Sequence, residues 1–194
     1  MLIGLAGAAG SGKDSVGTIL KHKHEFKLLA LAWPIKEMIC GLLHVDMDSW
    51  DDREWREQVI PLYKKSPRQL AQTIGTEWGR ICVHENMWMD RLFEEAQTYT
   101  REVHALLPAS GVPRIAITDV RFDNEALRIQ AYGGYIVRVS RPGVGGAILH
   151  PSERGLQNVP DIFEVNNDGT LNHLTNEVDN LITYRLPHQA GAPY

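Results

Sequence analysis

The sequence predicts an α/β fold built on a central parallel sheet of about five strands flanked by helices. Three observations carry that prediction. Leu2 to Ala6 is a short, largely apolar run leading into Gly7, the pattern of a strand buried on both faces. Four similar runs, Phe26–Leu31, Arg114–Thr118, Tyr135–Val139 and Ile162–Val165, are each short and β-branched or aromatic. Helix-length segments separate them, which is the rhythm of βα units.

The helices expected between and after the strands are Lys13–His22, Pro34–Leu43, Pro67–Cys82, Met87–Leu106, Asn124–Tyr132 and Leu171–Ile182. The last is the cleanest: Leu171, Leu174, Val178, Leu181 and Ile182 recur at helical spacing, and Asp168-Gly169-Thr170 supplies a turn and a cap. Leu107–Pro113 and Arg141–Gly146 are rich in glycine and proline and read as loops, and the charged stretch Asp46–Glu57 reads as a solvated loop and a helix start. With 194 residues, one domain over 1–186 is expected, with a helical insertion at about 34–106, a loop over about 140–156 and a frayed tail at 187–194.

Composition excludes several classes. Hydrophobic residues at 43% and charged ones at 23% sit near the globular average, against a disordered or fibrous chain. A net charge of −4 gives no electrostatic case for binding a nucleic acid polymer. Cys40 and Cys82 lie among apolar residues and read as reduced core thiols, and the eight histidines lack paired spacing for zinc. The apolar start is too short for a signal peptide or a membrane span, so a cytoplasmic protein without a membrane partner is expected.

Gly7-Ala8-Ala9-Gly10-Ser11-Gly12-Lys13 directly follows the first strand and opens a helix, the context that the phosphate-binding pattern GxxxxGK requires. Glycines at 7, 10 and 12 allow positive φ and turn backbone N–H groups toward phosphate oxygens, and Lys13 would reach the β- and γ-phosphates. Asp14 stands where Ser or Thr is usual, with Ser15 after it. A carboxylate there can serve Mg²⁺, a hard ion that prefers oxygen; its other reading is a first-turn acid favouring the helix dipole.

In the middle of the chain, Ser66-Pro67 caps and starts a helix. On its wheel, Leu70, Ile74, Trp78 and Ile81 form one stripe, and Arg68, Gln72, Gly75 and Gly79 the opposite one. Two helical glycines cost roughly 1 kcal/mol each against alanine, so they read as room for a ligand, with Arg68 for a phosphate and Gln72 for a base edge. The competing reading is that Gly75 ends the helix and Gly79 belongs to a turn. Trp88 reads as core, with stacking on a base as its other role.

The strand at Arg114–Thr118 runs into Asp119 and Arg121, and in open parallel sheets ligands gather at such carboxyl ends. Asp119 could orient a metal-bound water or accept a proton, and Arg121 could bind acceptor phosphate; Asp123 or Asn124 reads as a helix cap. Arg138, Arg141 and Arg154 flank a glycine- and proline-bearing loop with His150 and Glu153, where arginines can close over phosphates.

These residues carry a resemblance to the phage-type deoxynucleoside monophosphate kinases over most of the chain, through GAAGSGKDS, SPRQLAQTIGTEWGR, ITDVRFDNEA, HPSE and FEVNNDGTLNHL. The GKD variant is itself a feature of that family. The resemblance implies a P-loop NTPase fold of the nucleoside monophosphate kinase type, ATP and Mg²⁺ as cosubstrates, and a deoxynucleoside monophosphate as acceptor. It places Arg68, Gln72, Gly75, Arg80 and Trp88 on the acceptor side, Lys13, Asp119, Arg121 and Arg141 at the reaction centre, and Asp14 and Asp119 at the metal. Gly7, Gly10, Ser11, Gly12, Lys13, Asp14 and Ser15 would hold the triphosphate, while Asn167 and Gly169 belong to a turn similar to the one that borders adenine. In such an enzyme positioning and charge do the catalysis, and a dianionic monophosphate needs no strong base. The alternatives are a kinase of the same architecture for another phosphorylated acceptor such as dephospho-coenzyme A, and a nucleotide-dependent switch. A homodimer is a reasonable expectation for such an enzyme.

Overall fold

The computed structural model describes residues 1–107, 113–144 and 155–186. His150, Glu153 and Arg154, most of the loop expected at 140–156, the middle of the loop at 107–113 and the tail at 187–194 lie outside the described residues.

Strand β1 (Leu2–Ala6) is the centre of a five-stranded sheet. β3 (Ile115–Ile117) and β4 (Tyr135–Ser140) flank it, and β2 (Lys27–Leu29) and β5 (Ile162–Asn166) form the edges. All four pairings are parallel, with Gly4 of β1 opposite Ile117 on one side and Ile136 on the other. The carboxyl ends of β1, β3, β4 and β5 therefore share one edge of the sheet.

The chain divides into two compact units, residues 1–30 with 92–194, and residues 31–91. In the first, the two-residue period of β1 sends its side chains to opposite faces. Ile3 and Leu5 pack with Val16, Ile19 and Leu20 of α1 (Lys13–His24) and with Leu174 and Val178 of α7 (Leu171–Asn180). Gly4 points the other way, where a Cβ would lie 2.8 Å from Ile129 Cδ1 of α6 (Asp123–Ala131). The terminal helix forms where the periodicity placed it and continues as a wider π turn over Leu181–Arg185, although Leu171 itself is exposed. Thr170 caps it by accepting from the His173 N–H.

One ion-pair cluster ties the end of α1 to α7: Lys23 bonds Asp179 Oδ2, and His24 Nε2 lies 2.9 Å from Asp179 Oδ1. The Lys23 hydrogen bond first, and then His24, hold the Asp179 carboxyl below its ordinary value of 3.8 against the opposing effect of burial. A depressed folded pKa gives stability that is full above that ordinary value and is lost as pH falls through the folded pKa. Asp179→Asn should therefore cost about 0.5–1 kcal/mol at pH 7, the range for a solvent-accessible pair. In thermal melts the gap to the parent should persist down to about pH 4 and close in stronger acid; a gap that persists in strong acid would exclude the ion pair as its source.

The second unit is helical: α2 (Trp33–Leu43), a 3₁₀ turn at Met47–Asp51, α3 (Arg53–Glu57), α4 (Pro67–Gln72), a π-helical segment at Thr73–Val83, and the first turn of α5 (Met87–Leu106). The acidic stretch forms the 3₁₀ turn and α3, with Asp52 accepting from the N–H groups of Glu54 and Trp55 at 2.8 and 3.2 Å. Trp50 donates to Cys40 Sγ at 3.3 Å and meets Trp55 edge to face. Cys40 is buried as expected, but Cys82 is exposed, which corrects the expectation of two core thiols. Among the described residues no helix is long and apolar enough to cross a membrane.

Candidate functional site

The glycine-rich turn after β1 has the backbone that the spacing called for. Gly7, Gly10 and Gly12 sit at φ 142°, 82° and 102°, a region that β-carbon-bearing residues avoid. At Gly7 space adds to conformation, because a Cβ there would lie 2.3 Å from the carbonyl oxygen of Val139 in β4. The Ser11 N–H closes the turn on the Ala8 carbonyl at 3.1 Å. Gly12 is the N-cap of α1 and, having no side chain, caps none of that helix's first N–H groups, whereas Ser66 and Thr170 cap α4 and α7. A helix N-terminus without a side-chain cap, its dipole positive toward a glycine-rich turn, forms an anion-binding geometry.

Lys13 is the first residue of α1, and its ammonium folds back over the turn, donating to the carbonyls of Gly7 at 2.6 Å and Ala8 at 2.8 Å. It is thus held beside the loop that an anion would enter. Asp14 is exposed in the first helical turn and Ser15 is half-buried behind it. Ser11 is 1% exposed and its hydroxyl meets no hydrogen-bond partner among the described residues, so its side chain belongs to the inside of the turn.

Beside this cradle, the Val120 N–H donates to the Leu5 carbonyl at 3.0 Å, which sets half-buried Asp119 and exposed Arg121 at the end of β3 next to β1. What shapes this corner is Glu125. It is 1% exposed, and one carboxylate oxygen accepts the N–H groups of Arg121 at 2.7 Å and Phe122 at 3.0 Å. Sequence reasoning passed over Glu125; the signal was a Glu three residues past the start of a helix, the acceptor position of a capping box. Asp123 is not a cap of its own helix, as expected from sequence, but accepts the N–H groups of Gln157 at 2.8 Å and Asn158 at 3.0 Å.

Arg141 is exposed directly after β4, and the Val144 N–H turns back to its carbonyl at 3.2 Å. Arg138 faces Glu164 across β4 and β5 at 3.2 Å and donates to the Leu156 carbonyl at 3.3 Å, a structural pair. At the end of β5 the Asn167 side-chain amide donates to the Ser11 carbonyl at 2.9 Å; Gly169 is exposed two residues on.

In the second unit, the capping box at Ser66 and Gln69 and the proline at the first helical position stand as the sequence indicated. The regular helix does not continue. From Thr73 the coil widens to π geometry, so residues spaced for 3.6 per turn leave their expected faces. Trp78 and Ile81 become 43% and 74% exposed, while Gly75 and Gly79 are buried. The space at these glycines is already filled: a Cβ at Gly75 would lie 3.0 Å from Ile35 Cδ1 and one at Gly79 2.6 Å from the Trp88 ring, whose indole N–H donates to the Gly75 carbonyl at 2.8 Å. This corrects the expectation of ligand room at Gly75, and Trp88 takes the core role read for it first instead of the base-stacking one, since it is 3% exposed and its donor is engaged. Arg68 pairs with Glu57 at 2.9 Å, Gln72 is half-buried, and Arg80 donates to the Glu85 carbonyl at 3.2 Å.

Residues 60–178 match the family model described as deoxynucleotide monophosphate kinase. A protein of Acanthamoeba polyphaga mimivirus named "Putative deoxynucleotide monophosphate kinase" is 31% identical, across 86% of this chain and 89% of that protein. The deoxynucleoside-5'-monophosphate kinase of Escherichia phage T5 is 26% identical, across 64% of this chain and 70% of its own length. Among solved structures, a Thermus thermophilus protein is similar at a TM-score of 0.47 and 16% identity, covering 96% of this chain and 98% of that one.

Proposed function

As a member of the deoxynucleotide monophosphate kinase family, to which the chain belongs, this protein phosphorylates deoxynucleoside monophosphates, and we propose that ATP with Mg²⁺ is the donor. The observation that carries this reading is the cradle after β1, with three glycines at positive φ, uncapped helix donors and Lys13 held over the loop. In the proposal its backbone N–H groups and Lys13 take the triphosphate, with Ser15 beside them. The donor set suits Mg²⁺, which uses one or two carboxylates, phosphate oxygens and retained waters and needs no all-protein cage. Asp14 and Asp119 are the carboxylates that would hold it, and the ion would supply charge neutralisation.

Arg121 and Arg141 then stabilise the charge spread over the transferring group. Asp119 orients, since an acceptor dianion needs no base. The second unit, residues 31–91, is in this reading the acceptor-binding insertion, with Arg68, Gln72 and Arg80 as its polar contacts. Asn167 and Gly169 border the adenine, and the working form is a cytoplasmic homodimer, tested by light scattering on the eluted protein.

The test is ADP formation from Mg·ATP with each deoxynucleoside and ribonucleoside monophosphate, with dephospho-coenzyme A, and without acceptor. Stimulation by deoxynucleotides is expected; ADP formation indifferent to every monophosphate would leave a switch or ATPase. Arg68→Ala should raise the acceptor KM about tenfold, the worth of one charge-assisted contact, with the ATP KM unchanged. Its pair with Glu57 is solvent-exposed, so stability should change by less than about 1 kcal/mol. An unchanged acceptor KM would remove Arg68 from the site.

A further inference from the structure

We propose that Asn167 is a positioning residue that fixes the orientation of the Ser11–Gly12 peptide and thereby keeps the phosphate cradle open to the triphosphate. The inference rests on the ATP-binding reading above and gives Asn167 a further task beside bordering the base.

Three observations fix the place of this residue. The Asn167 Nδ2 donates to the Ser11 carbonyl at 2.9 Å. The same nitrogen occupies the side of Gly12 where a β-carbon would be, 2.3 Å from that position. The residue is itself fixed, because its backbone N–H donates to the Ser140 carbonyl at 2.7 Å, one step beyond the Ser140–Asn166 pairing that ends the β4–β5 ladder. Asn167 is thus a strut from the end of β5 to the loop after β1.

The consequence follows from peptide geometry. Across a trans peptide the C=O and the next N–H point in opposite directions, so holding the Ser11 carbonyl toward Asn167 turns the Gly12 N–H away from it. Gly12 sits at φ 102° and, as glycine, takes alternative backbone angles at little cost. Without an anchor this peptide would be the easiest in the loop to rotate. A rotated peptide would present a carbonyl where the cradle offers a donor, and a carbonyl repels phosphate. The strut removes that state before nucleotide arrives.

The experiment separates a brace on the cradle from a contact with the base by using inorganic tripolyphosphate, which has no base. Its dissociation constant and that of ATP are measured by calorimetry for the parent, Asn167→Ala and Asn167→Leu, the last keeping side-chain bulk should the alanine variant fail to fold. The brace predicts that both ligands weaken together, by about tenfold, the scale of one hydrogen bond and a disordered donor, while the acceptor KM holds. ATP weakened with tripolyphosphate unchanged would make Asn167 a base contact and overturn the proposal, as would no change in either. Failure of the kinase reading shows separately, as absent dependence on monophosphates in the parent enzyme.

Discussion

Lys13→Ala should lower kcat/KM for phosphoryl transfer by about 10²–10³-fold, the usual effect of removing one preorganised charge from a transition state. The lysine is already at the loop, its ammonium on the carbonyls of Gly7 and Ala8. Nucleotide binding then exchanges two neutral acceptors for phosphate oxygens, a stronger charge-assisted pairing. Both carbonyls can be hydrated when the side chain is removed, so the variant should keep its fold, with a Tm within about 4 °C of the parent. The measurement is ADP formation with a deoxynucleoside monophosphate acceptor, beside a thermal melt. Activity within a few-fold of the parent would mean that the cradle does not carry the chemistry.

Gly7→Ala should be the most damaging single methyl in the cradle. The added carbon would sit 2.3 Å from the Val139 carbonyl oxygen at φ 142°, and that oxygen belongs to a strand buried in the sheet and cannot yield. Backbone strain and overlap together should cost about 3 kcal/mol or more, read as the shift in a urea midpoint. Gly10→Ala is the control: at φ 82° its nearest atom would be Val144 Cγ1 at 3.8 Å, leaving backbone strain of about 1–2 kcal/mol. Equal midpoints for the two variants would show that the β4 carbonyl is not the constraint.

The sheet and most helices were legible because each depends on short-range pattern. Leu2–Ala6 reads as a buried strand from its own composition, and Lys13 starts a helix because the glycines before it cannot continue one. The sequence reading of Met87–Leu106 as a helix matches α5 at both ends. What the sequence hid was long-range. The wheel through Gly75 and Gly79 assumed 3.6 residues per turn, and the π geometry from Thr73 onward moved every later side chain to another face. Nothing local marks Asp123 as the acceptor for residues 34 and 35 positions away, so it was read as a cap. Asn167 was noticed only through its family turn, and its bond to Ser11, 156 positions distant, depends on sheet order that no short window contains.

Gly79 and Trp88 have a consequence for how this sequence can vary. Three indole atoms lie within 2.6–2.7 Å of where a β-carbon at 79 would be, so any larger residue at 79 meets an occupied space, and any smaller residue at 88 empties one. Either change alone is destabilising, by overpacking or by a cavity, and only the two together restore the fit. In evolutionary terms the positions form one inherited character: lineages should hold both or exchange both, and descent through either single intermediate should be rare.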